Sequence, residues 1–169
     1  MKRLTPNELS GNFIQMISQE WMLVTAGNKE KFNTMTASWG GMGFLWNKPV
    51  AYVFIRPERY TFEFIESSDY FTLSFMGEEH KGVHKICGSK SGRDIDKIAA
   101  TGLHPFTTEN GNILFEEARV SLECRKLYTE MLKEDNFLDK SIYPKWYDQA
   151  HGNLHKMYVA EIVNVWIEN

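Results

Sequence analysis

NTMTASWGGMGFLWNKPVAYVFIRPERYTFEFIE, residues 33–66, decides how the rest of the chain is read. Its first part, Asn33-Thr34-Met35-Thr36-Ala37-Ser38-Trp39, is an extended run that breaks off at Gly40-Gly41. A loop with three glycines and little charge leads through Pro49 to VAYVFI, residues 50–55. That run is too short for a typical helix and rich in β-formers, so it reads as a central strand. A polar corner follows, Arg56-Pro57-Glu58-Arg59-Tyr60-Thr61. Pro57 biases Arg56 out of the helical region and ends the strand there. Thr61 is a good N-cap and opens a short helical turn at Phe62.

The two ends of this stretch offer complementary chemistry. A helix start beside two arginines converges N–H donors and positive charge, which suits an anion. Small residues such as Thr36, Ala37 and Ser38 let a flat ligand approach the backbone, and Trp39 can stack on it or cover it. Read separately, TMTASW is an ordinary strand ending in a turn and RPER a solvated loop. Flanking one buried-type strand, they fit a planar cofactor that carries a phosphate.

Outward from this stretch the chain reads as strands in runs, with helices inserted late. Thr5-Pro6-Asn7-Glu8 has the form of a helix start, and the helix gives way near Glu20. Strands are expected over residues 21–26 and 32–39, the second returning antiparallel after the Gly27-Asn28-Lys29 turn. Residues 70–75 alternate as a strand with one buried face does. Residues 78–87 look helical up to Gly88. A polar loop, Ser89-Lys90-Ser91-Gly92-Arg93-Asp94, runs into a second helical piece over residues 95–100, closed by Gly102. Asn110-Gly111-Asn112 signals a hairpin turn. Residues 117–131 suit a long bent barrel strand, with Ala118, Val120, Leu122 and Cys124 on one side. Residues 135–153 are aromatic and polar without a period, suited to a lid or a dimer contact. Residues 154–167 form the closing strand. The expected architecture is a single domain over residues 1–169, a mainly β barrel with helical decorations.

Composition bounds the function. The chain has 169 residues, 43% of them hydrophobic and 24% charged, with 14% aromatic. The net charge of −3 provides no basic field for nucleic acid, so any phosphate site is local. Two cysteines make no disulfide framework. With no apolar run suited to a signal peptide or a membrane span, the expectation is a cytoplasmic, soluble protein. His80, His84 and Cys87 share a helix face at zinc-ligand spacing, with Cys124 able to approach. No second close Cys/His pair accompanies them, and a solvated helix face is the expectation. The segment SGRDIDK, residues 91–97, places Arg93 and Lys97 four apart, on one face if helical. From its residues it reads as a helix cap with a surface charge network. There is no nucleophile elbow, Walker loop or dinucleotide fingerprint.

The order N-x-M-T-A-S-W-G, then R-P-x-R-Y-T, then S-G-R-D-x-D-K, down to the closing His155-Lys156-Met157-Tyr158-Val159-Ala160-Glu161-Ile162, resembles the flavin reductase-like (flavoredoxin) family over nearly the whole chain. The resemblance implies an FMN-binding split β-barrel with Greek-key-like antiparallel strands. It implies FMN as cofactor and NADH or NADPH as electron donor, with hydride passing from nicotinamide to flavin N5. The alternatives are a flavoredoxin-type electron carrier and a flavin-binding sensor without turnover. Carried onto this sequence, Thr36, Ala37, Ser38 and Trp39 border the ring, and Asn33, Thr34 and Met35 belong to the same cofactor-binding set. Arg56, Arg59, Tyr60 and Thr61 bind ribityl and phosphate, and Ser89, Lys90 and Lys97 assist. Only through the resemblance is a contact to the cofactor phosphate an equal reading, beside the helix cap, for residues 91–97. No protein nucleophile is required, because the flavin carries the redox step.

The resemblance also implies a homodimer with FMN near the interface, acting on a small acceptor or a partner redox protein. The closing strand points the same way. It is apolar on nearly both faces, and the set Tyr158, Ala160, Ile162 and Trp166 reads as surplus to one barrel interior. Either a two-fold partner covers it or the helix before Glu20 does.

Overall fold

Every strand pairing among the described residues is antiparallel. The computed structural model describes residues 1–148 and 152–168. In chain order its elements are β1 (Lys2–Leu4), α1 (Phe13–Gln15), β2 (Met22–Gly27), β3 (Phe32–Ala37), β4 (Gly40–Leu45), β5 (Lys48–Ile55), α2 (Tyr60–Ser67), β6 (Tyr70–Phe75), α3 (Lys81–Ser89), α4 (Lys97–Thr101), β7 (Pro105–Thr107), β8 (Ile113–Phe115), β9 (Val120–Met131), α5 (Ile142–Trp146) and β10 (Lys156–Ile167). The main sheet runs β3-β2-β6-β9-β10-β5-β4, with β1 added to β10, and β7 and β8 form a separate hairpin. The fold is a mainly β split barrel with Greek-key-like strand order and helices laid outside, as expected.

Two cores hold it together. The barrel interior buries Val24, Val53, Ile55, Phe71, Leu122, Cys124 and Tyr158, closed at one end by Met16 and Ile17. A second core gathers Leu23, Met76, Cys87, Leu103, Ile113 and Phe115 beneath α3 and the β7–β8 hairpin. β6 therefore lies between two apolar layers and is buried on both faces, not on one as its alternation suggested.

Local chemistry explains the other departures. The glycine-rich stretch read as a loop is a strand, β4, paired residue for residue with β5. The turn joining them is Trp46-Asn47, both at left-handed φ (51° and 61°). This is the geometry of a two-residue hairpin turn, made here without glycine. Glycine is needed in the strand instead, because a Cβ at Gly40 would run into the carbonyl of Tyr52. The predicted helix over residues 5–20 is broken. Glu8 reaches back to the Thr5 backbone N–H at 2.8 Å, but this closes only the 3-10 turn Pro6–Glu8. Asn12 then caps α1, which passes into a π-helical turn, Met16–Glu20. Gly88 lies inside α3, which ends at Ser89.

On β10, a register shift between Ile162 and Asn164 swaps the faces. Tyr158, Ala160 and Ile162 point into the barrel, and Val165 follows them. Trp166 falls on the opposite side, under the Arg3 guanidinium at 5.9 Å. The face read as surplus is thus the interior of one chain, with Met16 and Ile17 packed in the same cluster.

Candidate functional site

A cavity of about 310 Å³ opens where β3 ends. Residues 35–39 form its floor, Phe54 and Arg56 reach it from the end of β5, and Arg59 comes from the corner before α2. Trp146 and His155 close its far side. The corner is positioned as the proline demands. β5 stops at Ile55, Arg56 to Arg59 make a tight turn (Arg59 N–H to Arg56 carbonyl, 3.1 Å), and α2 begins at Tyr60.

Both arginines are anchored at the rim. Arg56 Nη2 donates to the Trp146 carbonyl at 2.9 Å, and the guanidinium lies 5.3 Å from the Tyr147 ring centre. Arg59 Nη2 donates to the Cys87 carbonyl at 3.3 Å, and burial holds its pKa below the usual arginine value without discharging it. Trp39 is 37% exposed, with Trp146 edge-on at 5.2 Å and the His155 ring at 5.0 Å. His155 is buried, and its Nδ1 lies 3.0 Å from the Tyr147 hydroxyl. Burial first, then the Arg56 charge, pushes its pKa down to about 4, so a neutral imidazole faces the cavity at neutral pH.

The remaining predicted residues go elsewhere. Asn33, Thr34, Thr61 and Lys97 are all buried and form a polar hub behind β3. Asn33 Nδ2 donates to Thr61 Oγ1 at 2.7 Å, and Lys97 Nζ donates to the carbonyls of Thr34 (2.7 Å) and Cys87 (2.9 Å). Burial lowers the Lys97 pKa to about 8. Thr61 is not the cap of α2: Arg59 holds that position, and Thr61 points inward to Asn33. Gly92 is small for packing, because a Cβ there would collide with Asn33 Oδ1. Arg93 and Lys97 do not share a helix face. Asp96 caps α4 by accepting from the Ile98 and Ala99 N–H groups, leaving Arg93 in the preceding turn, over the Tyr60 ring at 4.5 Å and paired with Glu63. Ser89 donates back to the Lys85 carbonyl at 2.7 Å, and both Ser89 and Lys90, the residue after α3, are exposed.

The helix face carrying His84 and Cys87 is not solvated. His84 is 1% exposed, set edge-on to Trp21 at 6.0 Å, while Cys87 belongs to the second core and Cys124 to the barrel. The Thr36 hydroxyl donates to the His84 carbonyl at 2.7 Å, docking α3 on β3. His84 Nε2 has no partner, and burial drops its pKa to about 4.

Phe54, Trp146 and His155 escaped the sequence reading as site residues. For Trp146 the signal was the unexplained aromatic density of residues 135–153, of which 149–151 lie outside the described residues; Phe54, in the strand read over residues 50–55, and His155 carried no such signal. Phe137, Tyr143 and Tyr147 pack on one another and bring Trp146 over Trp39. This segment caps the cavity within the same chain.

The donor set suits a phosphorylated planar ring. Two guanidiniums sit at one side and an indole with small side chains at the other, in a volume typical of ligand pockets. The family model described as "Flavin reductase like domain" matches residues 14–169. No curated protein sequence matches the chain. Among solved structures, the chain is similar to a flavoredoxin from Methanosarcina acetivorans, at TM-score 0.69 and 23% identity, covering 89% of this chain and 69% of that one. An FMN-binding protein from Thermus thermophilus gives 0.68 and 24%, covering 88% and 71%. An NADH:FAD oxidoreductase from Streptomyces globisporus gives 0.64 and 14%, covering 88% and 74%. At these identities the structural likenesses establish the fold alone.

Proposed function

The chain belongs to the flavin reductase like domain family, and on that premise we propose that it is an FMN-dependent oxidoreductase of the NAD(P)H:flavin reductase type. The observation that carries this reading is the meeting of Arg56 and Arg59 with residues 36–39 around one cavity. The chemistry that FMN supplies when bound is hydride acceptance at flavin N5 from nicotinamide C4. The protein's part is positioning and electrostatics. Arg56 and Arg59 supply the charge that holds the phosphate, and Thr36, Ala37 and Ser38 let the ring approach the backbone. Trp39 and Trp146 keep water from one side. His155, held neutral, adds no charge at the ring and is oriented through Tyr147.

The test has two stages. Titration with FMN and with riboflavin should show FMN binding more tightly, because riboflavin has no phosphate for the arginines; equal affinities sink the phosphate assignment. Steady-state oxidation of NADH and NADPH with added flavin then separates a reductase from an electron carrier or sensor, which would bind FMN but turn over neither donor.

A two-fold homodimer is part of the same proposal. Of the residues predicted to drive it, Tyr158, Ala160 and Ile162 are inside the barrel and Trp166 lies outside it under Arg3, but Phe44 and Trp46 remain 66% and 57% exposed at the β4–β5 hairpin, with Trp46 6.4 Å from the Tyr128 ring. Light scattering at low micromolar concentration should give a dimer mass, lost in Trp46→Glu. A monomer with FMN bound rules the dimer out. NADH-dependent activity in a soluble fraction is the corresponding check on a cytoplasmic location; no helix among the described residues is long and apolar enough to cross a membrane.

A further inference from the structure

The turn of the β7–β8 hairpin is seated on a buried carboxylate, that of Glu123 on β9. Thr108 Oγ1 and Asn112 Nδ2 each donate to its Oε1 at 2.6 Å. Asn164 Nδ2 (2.6 Å) and Asn110 Nδ2 (3.0 Å) donate to Oε2. Three of these four donors come from the hairpin turn, and all four are uncharged. Arg3 turns instead to Asn164 Oδ1, with its Nε at 3.1 Å, and to Glu109 at 3.4 Å. Burial alone would raise the Glu123 pKa, but the four donors together hold it below the ordinary glutamate value. The seat is therefore an anion at neutral pH. It helps to keep the second core covered, since Ile113 and Phe115 of β8 belong to that core.

Asn110 is the donor that can turn into an acceptor. It precedes Gly111, and the sequence holds no other Asn-Gly pair. The backbone nitrogen after an asparagine can attack the asparagine Cγ. An N–Cγ bond forms, the Cγ–Nδ2 bond breaks, and ammonia leaves with the proton of the attacking nitrogen. Water then opens the cyclic imide at one carbonyl or the other, giving aspartate or isoaspartate. Asparagine plus water becomes acid plus ammonia, with no oxidant or reductant. A following glycine favours the attack because no side chain shields its nitrogen. Asn110 is exposed, and a Cβ placed on Gly111 would meet nothing within 4 Å. The Gly111 N–H donates to the Thr108 carbonyl at 3.0 Å. The attack therefore waits for the turn to open and is slower than in a free peptide.

We propose that Asn110 is a site of spontaneous deamidation, and that Glu123 expels the carboxylate formed there, loosening the hairpin over the second core. Aspartate has no N–H to give Oε2. The two carboxylates would lie a hydrogen-bond length apart, where like charges strongly disfavour each other. Isoaspartate also adds a carbon to the backbone and breaks the spacing of the turn. No residue lining the flavin cavity belongs to the hairpin, so this chemistry is independent of the flavin reading.

The intact protein, incubated at neutral pH and then digested, should yield aspartate and isoaspartate in the peptide carrying Asn110. Asn28, Asn47 and Asn136 are exposed but not followed by glycine, and they should stay unchanged in the same sample. Conversion at Asn110 no faster than at these three overturns the proposal. The structural consequence is read from Asn110→Asp against Asn110→Ala, which loses the same donor without gaining a charge. Amide hydrogen exchange over residues 106–114 should be at least about tenfold faster in Asn110→Asp. Equal exchange in the two variants overturns the proposal as well. In a Glu123→Gln background the new amide can donate to the aspartate, and the difference should shrink to about twofold or less. A difference that persists there would place the repulsion elsewhere and remove Glu123 from the account. If Glu123→Gln does not fold, the two Asn110 variants decide alone.

Discussion

β3 belongs to two regions of opposite character. Its end and the residues beyond it, 36–39, meet Arg56 and Arg59 around an open cavity. Its beginning, Asn33 and Thr34, meets Thr61 and Lys97 in a buried hub. Both regions pair hydroxyls with cations, as a phosphate site does, and the hub adds the Asn33 amide. In the hub these groups satisfy one another and nearby carbonyls, with Lys97 spanning β3 and α3. At the cavity Arg59 gives one N–H to the Cys87 carbonyl, and the guanidinium has five donors. A motif can thus be read as one site while its buried half stiffens the wall and its exposed half meets the ligand. Arg59 and Lys97 both donate to the Cys87 carbonyl, so the two regions touch there.

The sharpest way to break this division is Lys97→Ala. It leaves the Thr34 carbonyl without its charged donor, while the Cys87 carbonyl keeps Arg59, and should lower apo stability by about 3 kcal/mol. FMN affinity of the folded fraction should stay within about threefold. Urea unfolding and flavin titration on the same preparation decide it: a large affinity loss without a stability loss would move Lys97 into the site.

Acid comes next. His84, on the α3 side, and His155, at the cavity, both have folded pKa values near 4 against about 6.5 for the free side chain. The unfolded chain therefore binds more protons between these values. The stability each histidine confers is complete above pH 6.5 and is lost as pH falls toward 4, up to ~3 kcal/mol apiece. Bound phosphate would raise the His155 pKa and leave His84 untouched. Unfolding at pH 7 and pH 5, with and without FMN, should show that FMN shrinks the acid loss removed by His155→Asn and not the one removed by His84→Asn. Equal responses would dissolve the distinction.

Arg59→Ala tests the other side of the division. Loss of a charge-assisted phosphate contact, roughly 1.5–3 kcal/mol, should weaken FMN binding by one to two decades. Apo stability should fall by no more than ~1 kcal/mol, since the Cys87 carbonyl keeps Lys97. A larger stability loss with affinity intact would make Arg59 a hub residue. The smallest effect belongs to Thr61→Val, where Asn33 Nδ2 loses its 2.7 Å acceptor. About 1 kcal/mol of stability should go, with FMN affinity unchanged. A drop in affinity would return Thr61 to the binding set.

Much of this was legible in the linear chain. Alternation located β6 and β9, turn residues bracketed β2 and β3, and apolar runs rich in β-formers marked β5 and β10. The Arg-Pro pair set the end of β5, since proline restricts the residue before it. The family-like motifs and the arginines at the cavity were readable for the same local reason. What the sequence could not decide was which side chains share a side. One register shift on β10 sent Trp166 outward and left Val165 in the barrel. A second core turned a one-faced strand into a fully buried one and drew in His84, Cys87 and Lys97. The segment at residues 135–148 came to cover the cavity through aromatic packing with no periodicity to announce it. Turns and strands follow from dihedral preferences and alternation, which span a few residues. Burial and partnership depend on chain segments tens of residues apart, and only the packed barrel brings those together.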